Sequence, residues 1–108
     1  MTHPSEKDQR QLALMETRIA MYRRKGLYLG TLASDLLFLV DQLESVAQAE
    51  KDTMRTEANT LDLIYANLLE RATRTPDERE SRVIEESLQN LDSAIRCIRE
   101  SGTPGSRV

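Results

Sequence analysis

The chain has 108 residues and a formal net charge of −3; 31% of its residues are charged, 39% are apolar and none is tryptophan. This composition is typical of one soluble, helix-rich domain with a modest core of leucine and isoleucine. No apolar run approaches the ~20 residues of a membrane span, and the first residues lack the apolar segment of a secretory signal, so we predict a cytoplasmic protein without a membrane partner.

The first predicted helix starts near Ser5 and is about 20 residues long. Glu6 and Asp8 lie in its first turn, where the helix dipole favours acidic side chains. Gly26 is predicted to be the left-handed residue that ends it. The apolar side chains at helical spacing form its core stripe: Leu12, Met15, Ile19 and Tyr22.

The most apolar stretch, Thr31 to Ala47, predicts a second helix, with Thr31 or Gly30 as its N-cap. The connection from the first helix is short, which favours an antiparallel hairpin. Phe38 lies away from the apolar stripe among polar and acidic side chains, a composition typical of an interface anchor. The core face of this helix is predicted to contain Leu32, Leu36, Leu39, Val40, Leu43 and Ala47.

The boundary after the second helix is weakly marked, because the segment contains no glycine or proline. We predict that the second helix runs at least to Val46 and that a break follows near Glu50 to Thr53, with Asp52 or Thr53 as the next cap. One continuous helix over residues 31–74 would be about 66 Å long at ~1.5 Å per residue, more than a lone small domain covers. The alternative is that the second and third helices are fused into one long helix in a dimer.

The third predicted helix covers roughly residues 53–74, and Leu63 points about 180° away from its apolar stripe at ~100° per residue. For the fourth helix, Thr75, Pro76 and Glu78 predict a cap, a first-turn proline and a capping-box glutamate. The third stripe contains Met54, Ala58, Leu61, Tyr65, Leu68 and Ala72, and the fourth contains Ile84, Leu88, Leu91, Ile95 and Ile98.

These elements predict an all-α fold, an antiparallel bundle of about four helices. They form a single helical domain over residues 1–108, with loose ends at about 1–5 and 102–108.

The sequence lacks the residue clusters that catalysis or metal binding needs. His3 is the only histidine, and the single cysteine, Cys97, is predicted on the solvent side of its helix. There is no glycine-rich phosphate loop, nucleophile elbow or dinucleotide fingerprint. The basic run Arg23 to Lys25 is explained by the preference of helix C-termini for cations. We therefore predict a protein that is not an enzyme, with no cofactor, no metal and no nucleic-acid partner.

Acidic residues are concentrated in the middle of the chain. Residues 35–70 contain eight acids and two bases, a net charge of −6, whereas residues 1–25 contain three acids and six bases, a net charge of +3. An acidic middle favours a basic protein partner over nucleic acid. The candidate partner-binding residues are Asp35, Phe38, Asp41, Glu44, Asp62 and Leu63.

Two segments carry a resemblance to a known group of proteins. They contain Gly26, Leu29, Gly30, Leu32, Asp35 and Leu36, and then Leu61, Ile64, Tyr65 and Ala66. In this order they resemble small all-helical bacterial immunity proteins of contact-dependent growth-inhibition and related polymorphic toxin systems, over roughly residues 20–100. The resemblance implies a small cytoplasmic inhibitor that neutralises one cognate toxin, often a nuclease.

The alternative function is a structural or regulatory helical module that self-associates. In a homodimer of that kind, Phe38 and Leu63 would be buried against a second copy.

Overall fold

The computed structural model describes residues 5–101, which form four α-helices joined by short connections. The helices are α1 (Glu6–Arg23), α2 (Leu29–Asp41), α3 (Gln48–Glu70) and α4 (Glu78–Ser101). Each helix packs against the next one along the chain, and α4 packs against α1. The predicted all-α bundle of four helices is therefore confirmed. The alternative with fused second and third helices is wrong, because a connection separates α2 from α3.

Bonds between side chains show that neighbouring helices run antiparallel. Arg23 at the end of α1 bonds Glu85 in the first half of α4 and Asp92 just past its middle, with nitrogen to oxygen distances of 2.9 and 2.7 Å. Arg99 near the end of α4 in turn pairs with Glu16 of α1. The bundle is 50 Å long and 24 by 22 Å across. None of the four described helices has both the length and the apolar character that crossing a membrane requires.

The predicted apolar stripes form one buried core that runs through the bundle. Tyr22 and Tyr65 are only partly buried at its edge, and Leu29, Ala33 and Ile64 join the core as well. The predicted residues that are buried are Leu12, Met15, Ile19, Leu32, Leu36, Leu39, Val40, Leu43, Met54, Ala58, Leu61, Leu68, Ile84, Leu88, Leu91, Ile95 and Ile98. Ala47 and Ala72 are exposed, because they lie just outside α3 and not within a helix face.

The break between α2 and α3 lies earlier than predicted. α2 ends at Asp41 and not at Val46 or beyond, and α3 begins at Gln48, ahead of the predicted caps Asp52 and Thr53. The backbone N–H groups of Glu44 and Ser45 do not continue the helix; they donate to another part of the chain. A contact from outside the segment therefore ends α2.

That contact is the carboxylate of Asp8 in the first turn of α1, which is fully buried. Its oxygens accept hydrogen bonds from the Glu44 N–H at 2.9 Å, the Ser45 N–H at 2.7 Å and the Ser45 hydroxyl at 2.7 Å. Ser5, the N-cap of α1, accepts from the Asp8 N–H and donates its own N–H to the Ser45 hydroxyl. Ser5 thus belongs to the bundle and not to a loose end; residues 1–4, with His3, and 102–108 lie outside the described residues.

Burial alone would raise the pKa of Asp8, because it disfavours the charged form. The hydrogen bonds from Ser45, Glu44 and Ser5 outweigh it, so the pKa of this carboxyl lies below its ordinary value. The ionised Asp8 is consequently the form that holds α1 to the connection between α2 and α3.

The ends of α1 and α3 have left-handed residues that are not glycine. Lys25 has φ of 63° and Ala72 has φ of 52°. The stop of α1 is thus Lys25, and the predicted stop, Gly26, instead donates its N–H to the Met21 carbonyl at 2.8 Å. Such ends ordinarily favour glycine, since a side chain in this conformation costs about 1 kcal/mol or more.

The starts of α2 and α4 also differ from the prediction. The N-cap of α2 is Tyr28, before the predicted Gly30 or Thr31, and it makes no side-chain capping bond. The capping box of α4 consists of Asp77 and Glu80, each side chain accepting from the other's N–H at 2.7 and 3.0 Å.

The side chain of Glu80 also closes the turn between α3 and α4. Arg71 at the end of α3 donates two hydrogen bonds to it, of 2.8 and 2.7 Å. These bonds and the Asp77 N–H lower the pKa of Glu80 to about 2. The capping pair predicted around Thr75 and Glu78 is therefore shifted towards the C-terminus.

Replacing Asp8 by Ala should lower the free energy of unfolding by roughly 2–4 kcal/mol near neutral pH, because the N–H groups of Glu44 and Ser45 lose their acceptor. In the wild type, this part of the stability is complete above the ordinary carboxyl pKa of about 4 and is lost as the pH falls through the lower folded-state pKa. Urea unfolding measured from about pH 7 to about pH 3 tests both points. The exposed Asp62→Ala variant should match the wild type; an equal loss in that variant contradicts the assignment.

Replacing Ala72 by Gly should raise the free energy of unfolding by about 1 kcal/mol, because glycine adopts the left-handed conformation without strain. Ala66→Gly, the same change at an exposed helical position of α3, should lower it by about 1 kcal/mol. Thermal or urea unfolding of the two variants gives the comparison. Changes of the same sign in both would show that residue 72 is not strained.

Candidate protein-binding site

Phe38 and Leu63 are exposed, as the helical spacing predicted. The relative exposure of Phe38 is 62% and that of Leu63 is 67%. These side chains project from α2 and α3, whose opposite faces fill the core. A large apolar side chain left in water on a well-packed bundle is a candidate contact for a partner.

Leu14 of α1 is a further large apolar side chain that is exposed, at 44%. The ion pair between Arg18 and Asp35, with a nitrogen to oxygen distance of 3.4 Å, sets the register of these antiparallel helices. Leu14 is one turn before Arg18, and Phe38 is one turn after Asp35. Both steps run in the same direction along the hairpin, so Leu14 and Phe38 lie at about the same level on adjacent helices.

A second ion pair closes the other end of this patch. Lys7 of α1 contacts Glu44 in the connection after α2, at 2.9 Å. Along the hairpin, Leu14 and Phe38 thus lie between two ion pairs, one from α1 to α2 and one from α1 to the connection after α2. We name this surface the Phe38 face; it consists of Leu14 and Phe38 with the pairs Arg18–Asp35 and Lys7–Glu44.

Several of the predicted partner-binding acids are paired within the chain. Asp35 and Glu44 pair with Arg18 and Lys7 as described, and Asp41 contacts Arg55 of α3 at 2.6 Å. Asp62 is exposed and forms no ion pair with any residue in the described range. The negative charge of residues 35–70 is therefore partly compensated by bases from α1 and α3.

Leu63 and its neighbour Asp62 are not part of the Phe38 face. The ring of Tyr65 lies against Gly30 at the start of α2, so Leu63 is level with about residue 32. Phe38 is about six residues further along α2, roughly 9 Å at ~1.5 Å per residue. Because Leu63 also projects outward from a different helix, the six predicted residues do not form one surface.

A second surface, which the sequence did not predict, lies at the end of the bundle where the α1–α2 and α3–α4 connections meet. It contains a cavity of about 590 Å³, whose lining includes Tyr22, Lys25, Tyr28, Arg74, Ile84 and Glu85. A smaller cavity of about 190 Å³ adjoins it and is lined by Tyr28, Gly30, Tyr65, Leu68, Leu69 and Arg74. We name the two cavities together the end cleft.

Tyr28 and Arg74 form the ridge between the two cavities. The guanidinium carbon of Arg74 lies 5.0 Å from the centre of the Tyr28 ring, and its Nη1 donates to the Tyr28 hydroxyl at 3.4 Å. The Tyr28 side chain is 66% exposed, and Leu69, on the rim of the smaller cavity, is 60% exposed. Behind them, burial and the nearby Glu85 carboxylate raise the pKa of Tyr22.

The sequence contained part of the signal for the end cleft. Tyr22, Lys25 and Tyr28 are close together in the sequence. The basic run from Arg23 to Lys25 was attributed only to the preference of helix C-termini for cations. Arg74 is 46 residues from Tyr28, so its position over that ring required the fold. The cleft was missed because its two sides come from different hairpins.

Within residues 5–101 no group of three or more His, Cys, Asp or Glu side chains is placed to hold a metal ion. Cys97 is exposed on α4, as predicted. Comparison of the chain with protein-family models found no match, and comparison with curated proteins and with solved structures found none either.

Replacing Gly30 by Ala should lower the free energy of unfolding by about 1–3 kcal/mol, because a Cβ at this position would lie 2.5 Å from the Tyr65 ring. In a Tyr65→Ala background the same replacement should raise it slightly, since alanine is the better helix former. Urea unfolding of the four proteins of this cycle gives the coupling. Equal effects in both backgrounds would show that Tyr65 is not the obstacle.

Proposed function

We propose that this protein is an immunity-type inhibitor, without enzymatic activity, that binds and neutralises a cognate bacterial toxin through the Phe38 face. The observation that carries this proposal is the Phe38 side chain, which is 62% exposed and lies, along the hairpin, between the ion pairs Arg18–Asp35 and Lys7–Glu44. The resemblance of residues 20–100 to immunity proteins points to the same class of function. A toxin that acts on nucleic acid is the preferred partner, because such an enzyme presents a basic face.

The arrangement of the Phe38 face suits a small, specific interface. Central aromatic side chains that become fully desolvated contribute most of the binding energy in such interfaces, and a polar rim excludes water around them. Phe38 and Leu14 supply the apolar centre, and the ion pairs Arg18–Asp35 and Lys7–Glu44 supply the rim. By covering the substrate-binding face of the toxin, an inhibitor of this size blocks the reaction without any chemistry of its own.

Charge contributes to this proposal through steering. Residues 35–70 have a net charge of −6, which attracts a basic surface over a longer range than any single contact. The pairing of Asp35, Asp41 and Glu44 within the chain means that a partner's bases compete with Arg18, Arg55 and Lys7 for these acids. The rim therefore favours specificity and rapid encounter, and the apolar centre supplies the affinity.

Phe38→Ala should leave the free energy of unfolding within about 0.5 kcal/mol of the wild type, because the side chain is exposed. It should weaken the complex with the toxin by about 2 kcal/mol or more, roughly 30-fold in Kd. The measurement is co-expression with the product of the adjacent gene, followed by growth, copurification and titration calorimetry. Leu63→Ala is the matched control, since it removes an equally exposed side chain from another face and should bind like the wild type.

Two results would contradict the proposal. One is a neighbouring gene product that is harmless when expressed alone and does not copurify with this protein. The other is a concentration-dependent dimer, seen by light scattering, that Phe38→Ala dissociates, because the Phe38 face would then serve self-association as in the alternative function.

A further inference from the structure

We propose that the end cleft binds an acidic peptide segment of a protein partner, with one apolar side chain of that segment in the smaller cavity. This site is separate from the Phe38 face. Phe38 lies ten residues after Tyr28, about 15 Å along α2 at ~1.5 Å per residue. The inference therefore does not depend on the proposed function.

The charge of the end cleft is positive. Arg23 pairs with both Glu85 and Asp92, so these three side chains together have a net charge of −1. Lys25 and Arg74, which also line the cleft, form no ion pair with the residues in the described range. With Lys25 and Arg74 the net charge at the cleft is +1, and an acidic ligand complements these two bases.

The shape of the end cleft favours an extended chain over a compact ligand. Two cavities adjoin across the ridge of Tyr28 and Arg74. The larger one offers Lys25 and Arg74 to carboxylates, and the smaller one places Leu68 and Leu69 where they can contact an aliphatic side chain. A segment that alternates acidic and aliphatic side chains would satisfy both cavities while its backbone crosses the exposed Tyr28 ring.

Lys25 adds an independent observation. It holds a left-handed conformation that glycine would adopt without strain, although Gly26 is the next residue. A lysine at this position lowers the stability of the helix end, and strained residues of this kind cluster at binding sites. Its side chain lines the larger cavity, where its charge complements an acidic ligand.

The test is a titration of the full ¹⁵N-labelled chain, followed by NMR, with a short peptide in which Glu and Leu alternate. Amide shifts should be confined to the segments that line the two cavities, residues 22–31, 65–76 and 81–85, and a peptide with Lys in place of Glu should produce none. Three results would overturn the proposal: shifts located elsewhere, equal shifts with the Lys peptide, or no shifts at millimolar peptide. Shifts reproduced in full by inorganic phosphate would overturn the assignment to a peptide.

Two variants test whether Arg74 and Lys25 provide the positive charge that binds the peptide. Arg74→Gln and Lys25→Gly should each weaken peptide binding by about tenfold. Lys25→Gly should at the same time raise the melting temperature, so that its loss of binding is not a loss of folding. The control is Arg96→Gln, which removes one positive charge from an exposed position on α4 and should bind like the wild type.

Three outcomes of this series are decisive. If Arg96→Gln weakens binding as much as Arg74→Gln, net charge alone explains the affinity and the proposal is overturned. Unchanged binding by both Lys25→Gly and Arg74→Gln overturns it as well. Phe38→Ala should bind the peptide normally, which separates a failure of this proposal from a failure of the proposed function.

Discussion

The buried carboxylate of Asp8 is the contact on which the rest of this bundle depends. It joins the first turn of α1 to the connection between α2 and α3, and it takes the N–H groups of Glu44 and Ser45 away from helix continuation. After this connection the chain reverses its direction and continues as a separate helix, α3. This contact and the Arg18–Asp35 pair agree on one register of the α1–α2 hairpin, which brings Leu14 and Phe38 to about the same level.

The core of this fold could be predicted from the spacing of apolar residues, because that information is local. The stripe from Ile84 to Ile98 is buried at every predicted position. The end of α2 could not be predicted equally well, since a distant contact sets it. Asp8 and Glu44 are 36 residues apart, and nothing near the end of α2 in the sequence indicates that its backbone will bond to α1.

The candidate surfaces divide in the same way. The outward direction of Phe38 could be predicted from its position in the helix. The position of Leu14 at the same level of α1 followed only from the register of the two helices. The number of acidic residues in this part of the chain can be read from the sequence. Their pairing with Arg18, Arg55 and Lys7 is a property of the tertiary structure. Sequence reasoning thus identified single side chains and missed the pairs that they form.

Two surfaces of opposite character result from one small bundle. The Phe38 face belongs to the α1–α2 hairpin alone and is surrounded by compensated charges. The end cleft is shared between the α1–α2 and α3–α4 hairpins and has uncompensated positive charge at Lys25 and Arg74. The two surfaces lie on different parts of the bundle, so the two proposals concern separate contacts.

The ion pairs between α1 and α4 have a mechanical consequence. Contacts between these two helices are the sparsest of the four adjoining pairs, and Arg23 with Glu85 and Asp92 bridges them near one end. The α1–α2 and α3–α4 hairpins therefore contact each other mainly through α2 and α3, and ion pairs link their other two helices, α1 and α4. Arg23 and Glu85 also line the end cleft. A ligand that draws Arg23 away from Glu85 therefore weakens the ionic link between α1 and α4. Dissolved salt weakens the same link by screening its charges.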